Sequence, residues 1–368
     1  MICGHFTRRL SLFKLEARKV AEELALQVLS RERETPRQYT FKHYATKLID
    51  KGRKQAERGE RNNNYIRTIR LALDNNGWGL MGHFANHDVR ELKTRDYNDF
   101  IEETRAKRPN LSSSTFNTVR AAFRNVLKVA RDDGVIDFIP DTPRVRQKDN
   151  PRAFFRFAPL VPEERDEYQT LLKGAKQLAH EDTLIRGVPV TEELSDLILF
   201  CVHSFVRPTT TELYALKHND IALATDPKRL LVTVRNGKTG FRVANTMAGA
   251  VAPYNRLRKR YPRAGGEDYI FLPHYPNRAT AARIFQRQFN KLLKRTGLKR
   301  DAVTNKNRSV YSLRHNAICM RIILSKGKVN IFNLAKNAGT SVEQIERFYA
   351  KHLPLSREMA ENLQSFGE

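Results

Sequence analysis

The sequence predicts a mainly helical chain in two domains, the second carrying a small β-sheet. Three observations lead there. The 368 residues exceed what one ordinary core organises. Apolar positions recur with helical spacing from Phe41 to about Ile139, and again from Ala279 to the end. Between those regions "RLLVTVRNGKTGFRVANTM" alternates like two strands joined by a Gly-rich turn.

Residues 10–33 read as a leading helix with Leu10, Phe13, Val20, Leu24 and Val28 on one side, ended near Pro36. This gives a helical extension over 1–36. A helical domain follows over 37–142. In it, "YIRTIRLALDNNGWG" sets Ile66, Ile69 and Leu73 on one face and stops at an Asn-Gly turn. "SSSTFNTVRAAFRNVLKVARDDG" is the clearest helix: serines at 112–114 offer caps, and Gly134 follows its end. Phe116, Val119, Phe123, Val126 and Ala130 form its buried stripe. Arg120, Arg124, Lys128 and Arg131 form a basic stripe on the other side, open to two readings: a solvated face or a DNA-phosphate contact.

A basic, proline-containing linker is expected over 143–157 and a second domain over 158–368. "EELSDLILFCVHSFVRP" reads there as a buried helix, followed by a helix-compatible "TELYAL". "SVEQIERFYAKHLP" reads as one amphipathic helix from Ser341 to Pro354.

Charge narrows the function. The chain carries 66 Lys+Arg against 40 Asp+Glu, a formal net charge of +26 spread along its length. A folded chain this basic needs a polyanion or an anionic surface as partner, and nucleic acid leads. No stretch is apolar for long enough to cross a bilayer. Cys3, Cys201 and Cys319 are widely spaced, which suits a reducing compartment and no disulfide framework. No metal-ligand spacing is present, and no cofactor is expected.

Three stretches of the second half carry groups suited to chemistry on a phosphodiester: Arg207 in "FVRPTTTELYALKHNDI", Lys238 in "VRNGKTGFR", and Arg314 with His315 in "SVYSLRHNAICMRIIL". Tyr349 follows, flanked by Arg347, Lys351 and His352, cations expected to lower its pKa. Alone, each has a bland explanation as a cap, a hairpin lysine, a core histidine or a rim tyrosine. In this order the set resembles the tyrosine recombinase (phage integrase) family, in a form common among proteobacterial and phage integrases. The resemblance rests on an arginine ahead of "E-L-x-x-L-x-x-x-D-I" (Glu212 to Ile221), the hairpin lysine, the "L-R-H" box, and "AGTSVEQIERFYAKHL".

The resemblance implies a helical core-binding domain joined to a mixed α/β catalytic domain. It implies Tyr349 as a nucleophile forming a 3′-phosphotyrosyl link, Arg207 and Arg314 on the non-bridging oxygens, and Lys238 on the leaving 5′ oxygen. Glu212 would hold an arginine, with Tyr311, His315 and Thr340 in support. It also implies a homotetramer on two DNA sites, a tail after Tyr349 that docks on a neighbouring subunit, a directionality factor, and a cytoplasmic, nucleoid-associated setting in a bacterial host. The leading 36 residues are short for the arm-binding domain that many phage integrases carry. The sequence departs from the pattern at Tyr311, where the family has His, at Thr340, where it has His or Trp, and in two extra residues between Arg207 and Glu212. Two other readings are a DNA-binding protein that has lost the chemistry and a type IB topoisomerase. An RNA-binding role has no aromatic strand motif behind it.

Overall fold

The computed structural model describes residues 18–21, 37–74, 78–146, 152–158, 160–326, 328–349 and 364. They fall into two compact units, divided between Lys148 and Asp149. Most of the expected leading helix lies outside the described residues, as do Cys3, Lys351, His352 and the tail; residues 18–21 are helical.

The first unit is helical: α1 (Phe41–Glu57), α2 (Asn63–Asp74), α3 (Leu80–Phe84), α4 (Thr94–Lys107) and α5 (Ser113–Asp132). Ser112 caps α5 by accepting from Thr115 N, and the stripe from Phe116 to Ala130 is buried. Phe123 stacks on Phe41 at 5.7 Å and packs against Phe84 and Tyr97, so aromatic rings dominate this core.

The second unit contains α6 (Glu167–His180), a short hairpin of β1 (Leu184–Ile185) and β2 (Val188–Pro189), and α7 (Glu193–Ser204). β3 (Ile221–Thr225), β4 (Lys228–Gly237) and β5 (Gly240–Asn245) follow, then α8 (Val251–Arg260), α9 (Arg278–Arg295), α10 (Tyr311–Leu324), α11 (Ile331–Ala338) and α12 (Val342–Phe348). The strands form one antiparallel sheet in the order β3-β4-β5. Leu230, Val232 and Val234 alternate inward along β4, and Gly237 pairs with Gly240 across a two-residue turn of Lys238 and Thr239. Helix α7 is buried on nearly every side, and α10 packs on it. The expected mainly α fold with a small β-sheet is the fold observed.

Two local expectations are corrected. "TELYAL" is not an α-helix: Glu212 has φ −117° and ψ −94°, and only a single 3-10 turn follows, Leu213–Ala215. The backbone turns there because the Glu212 carboxylate is drawn inward by two arginines. The helix expected over Ser341–Pro354 ends at Phe348, and Tyr349, at φ −124° and ψ −60°, is its cap.

Of the stretch 143–157 expected as a linker, the described ends each bond within their own unit. Val145 exchanges hydrogen bonds with the Asn117 amide of α5, whereas Phe154, Phe155 and Phe157 are buried in the second core. The apolar run "AFF" takes that end out of solvent because its rings gain more from burial than from serving as a spacer. No helix among the described residues is long and apolar enough to cross a membrane.

Candidate active site

The site is built where three turns meet. Helix α7 ends at Phe205, whose left-handed backbone (φ 58°, ψ 9°) is costly for a residue with a side chain, by about 1 kcal/mol or more. That turn presents the Phe205 carbonyl to Arg314 Nη1 and puts Arg207 two residues further on. The second turn is "A-G-T-S". Helix α11 stops at Gly339 (φ 62°, ψ 47°), the Ala338 carbonyl accepts from Arg314 Nη2, and the Gly339 carbonyl accepts from Arg207 Nη2. A Cβ at Gly339 would meet the Arg242 guanidinium at 3.0 Å, so both conformation and space require glycine. The third turn is the β4–β5 hairpin. Asn337 of α11 bonds both backbone groups of Asn245 and fixes β5 against that helix.

Glu212 ties the turns together. Its side chain, 1% exposed, accepts from Arg207 Nη1 at 2.5 Å, from Arg242 Nη2 at 2.7 Å, and from the Lys238 backbone N–H at 3.3 Å. Burial alone would raise its pKa, but Arg242 and then Arg207 outweigh that and hold it at about 2. Glu212 thus remains ionised and fixes Arg207 in one orientation.

Arg207, Lys238, Tyr311, Arg314, His315, Thr340 and Tyr349 all line one cleft of about 660 Å³. Glu212 stands behind it. No carboxylate is among the described residues that line the cleft; Glu212, which pairs with Arg207, is not one of them. Arg314 is 2% exposed, and burial and then Arg207 push its pKa down, as expected for crowded guanidiniums. His315 Nδ1 lies 2.8 Å from the Tyr349 hydroxyl. Burial, then Arg152 and Arg314, depress the imidazole to about 3, so the ring is neutral at physiological pH.

Tyr349 corrects a further expectation. Burial pushes the phenol above its usual value, opposed by Arg314 and Arg152, while Lys351 and His352 lie outside the described residues. Arg347 instead lies over the Phe348 ring, 5.3 Å from its centroid.

The basic stripe of α5 is elsewhere. Arg120 donates through Nε to the Thr142 carbonyl, and Arg124 donates to the Pro140 carbonyl at 3.2 Å. Lys128 and Arg131 are exposed. A separate cleft of about 720 Å³ in the first unit is lined by Ile49, Ile66, Leu71 and Met81 with Arg53, Arg67 and Arg70, and by no tyrosine, histidine or cysteine. Among the described residues no cluster of His, Cys, Asp and Glu is arranged to hold a metal ion. Cys201 and Cys319 are free, and burial pushes both thiols up to about 12.

Sequence reasoning missed Arg152, Gly339 and Arg242. Only Arg242 left a signal. It stands two residues before buried Ala244 on β5, an inward position where an arginine requires an acid. Its Nε and Nη1 are buried without hydrogen-bond partners.

The backbone matches that of a lambda integrase fragment (75–356), solved as a dimer bound to a COC′ core site. The TM-score is 0.60, with 13% identity over 85% of this chain and 98% of that one. The chain has the tyrosine recombinase fold. A lambda integrase tetramer bound to a Holliday junction matches at TM-score 0.57, with 10% identity over 85% of this chain and 79% of that one. XerH recombinase in a pre-cleavage complex with its difH substrate matches at 0.53, with 14% identity over 88% and 85%. By sequence, no family model and no curated protein matches the chain.

Proposed function

We propose that this protein is a site-specific DNA recombinase that cuts and rejoins duplex DNA through a 3′-phosphotyrosyl intermediate, serving the integration or excision of a phage or genomic island. One observation carries the reading: a cleft holding a tyrosine, two carbonyl-anchored arginines and a hairpin lysine, with no carboxylate among its described lining residues. A phosphodiester supplies the missing anion.

In this reading the Tyr349 oxygen attacks phosphorus as the bond to the 5′ oxygen breaks. Arg207 and Arg314 stabilise the charge that builds on the non-bridging oxygens. Each donates to backbone carbonyls, which sets its orientation before DNA arrives. Lys238, exposed on a two-residue turn, gives a proton to the departing 5′ oxygen. His315 orients the phenol. A bound phosphodiester offsets the guanidiniums that depress the imidazole, which makes it a better proton acceptor when substrate is present. Tyr311 and Thr340 offer hydroxyls to the same phosphate. The protein acts as a homotetramer on two DNA sites, with a directionality factor setting which reaction dominates, and works in the cytoplasm on nucleoid DNA.

The test uses nicked duplexes tiled across the DNA flanking the gene, incubated with protein in EDTA and then denatured. A covalent adduct with the native chain and none with Tyr349→Phe, while duplex binding persists in both, supports the reading. Binding without an adduct in the native chain favours a DNA-binding protein of this fold that has lost the chemistry. Relaxation of supercoiled plasmid without strand exchange favours a topoisomerase.

A further inference from the structure

Arg152 is the cation of the cleft that the proposed reaction has not used. It lies just after the start of the second unit, and the chain on its C-terminal side is fastened along its length. Phe154 N donates to Asp301 at 3.3 Å, and the Phe154 carbonyl accepts from Arg308 Nε at 3.0 Å. Phe155 exchanges both backbone hydrogen bonds with the Asn316 amide, at 2.5 and 3.0 Å. Arg156 N donates to Glu167 at 2.8 Å. Arg308, 1% exposed, is itself held by Glu167 and by carbonyls of the 298–300 turn. Asn316 follows Arg314 and His315 directly on α10, so one helix sets both the two site residues and the strap that carries Arg152.

The Arg152 side chain lines the same cleft as Arg207, Arg314 and Tyr349. Its guanidinium lies over the Phe348 ring, 4.4 Å from the centroid, on the residue next to Tyr349. Among the described residues no acid pairs with it. A half-buried arginine on an aromatic shelf, facing a cleft with no carboxylate among its described lining residues, is arranged for an anion from outside the chain.

Resting on the reading of this cleft as a phosphodiester site, we infer that Arg152 is a third phosphate-binding guanidinium, supplied by the strap at the start of the second unit. Its charge also acts on the pair that moves the proton, opposing the rise of the Tyr349 pKa and holding His315 neutral. The other groups acting on that pair are Arg314, Tyr311 and Cys319.

Two experiments separate this inference from the recombinase reading. In the full chain, arginine Nε–H resonances are followed by NMR as inorganic phosphate is added. The Arg152 signal is expected to move together with those of Arg207 and Arg314, and Arg152→Ala is expected to weaken phosphate binding about tenfold. If Arg207 and Arg314 respond while Arg152 stays still, the third-cation assignment is overturned and the phosphodiester site survives. If none responds, both fall.

On a nicked duplex that traps the native chain, Arg152→Ala is expected to slow adduct formation about 100-fold, the usual loss for one transition-state donor. Its pH–rate curve should move to higher pH, because the phenolate is left without one of its cations. Arg152→Lys is expected to recover part of the rate, with melting temperature close to native in both variants. An Arg152→Ala chain that forms adduct at the native rate and pH overturns the inference.

Discussion

Two pairs of arginines in this chain make the same kind of bond and do different work. On α5, Arg120 and Arg124 donate to the carbonyls of Thr142 and Pro140. In the second unit, Arg207 and Arg314 donate to the carbonyls of Gly339, Phe205 and Ala338. Both pairs commit guanidinium N–H groups to backbone. The first pair fastens the 140–142 segment to α5. The second pair opens onto a cleft of about 660 Å³ that contains no carboxylate among its described lining residues. In the proposed mechanism, an arginine fixed by the fold acts on substrate only where the fold also leaves an open cleft without carboxylates among its described lining residues beside it.

The contrast can be broken first at Arg314. Arg314→Ala removes charge from the transition state and orphans two buried carbonyls. Adduct formation should fall about 1,000-fold or more, and unfolding should come at lower denaturant, since each stranded buried group costs about 1–3 kcal/mol. Single-turnover trapping and a urea titration read the two effects. A variant that loses stability and keeps its rate would make Arg314 another strap arginine.

Glu212 sharpens the comparison through pH. Its folded pKa is depressed, so its stabilisation is present above the ordinary glutamate range and is lost as pH falls toward about 2. Its contribution at neutral pH is on the order of 3 kcal/mol. Between about pH 4.5 and 2, the native chain should lose thermal stability more steeply than Glu212→Gln, as read by melting curves across that window. Parallel curves would mean that the clamp on Arg207 is not electrostatic.

Arg120→Ala with Arg124→Ala should act on the first unit alone. It is expected to destabilise that unit by about 1–2 kcal/mol by removing two strap hydrogen bonds, with adduct formation per bound duplex unchanged. Lys128→Ala with Arg131→Ala should do the opposite. Folding should stay native, while the slope of log affinity against log salt for duplex binding drops by about 2, one for each phosphate that is no longer neutralised. If Arg120 and Arg124 carry the salt dependence instead, the stripe acts as a single DNA-facing row.

The sequence exposed the fold through periodicity: the α5 stripe, the all-apolar α7, and alternation along β4 at Leu230, Val232 and Val234. These are local patterns, and local patterns survive folding unchanged. The site was legible in part for the same reason. Arg207, Lys238, Arg314 and Tyr349 occur in an order that resembles a known set, and the structure brings all four to one cleft. The rest depended on long-range contacts.

Nothing in "TELYAL" announces that Glu212 turns inward and stops an α-helix, because the cause is Arg242, 30 residues later. The phenol of Tyr349 was expected to feel Arg347, its near neighbour in sequence. It is governed instead by burial and by Arg314 and Arg152, from α10 and the strap. "AFF" reads as part of a spacer until Arg308 and Asn316 are seen to hold Phe154 and Phe155.

The central claim is that Tyr349 becomes covalently joined to DNA. The most direct test is peptide mass spectrometry of an adduct trapped on a nicked duplex in EDTA, after nuclease and protease digestion. The account predicts a nucleotide-modified peptide containing Tyr349, with the phosphate on the phenol and a free 5′-hydroxyl on the released strand. An adduct mapped to Tyr311 or to any other residue would contradict it.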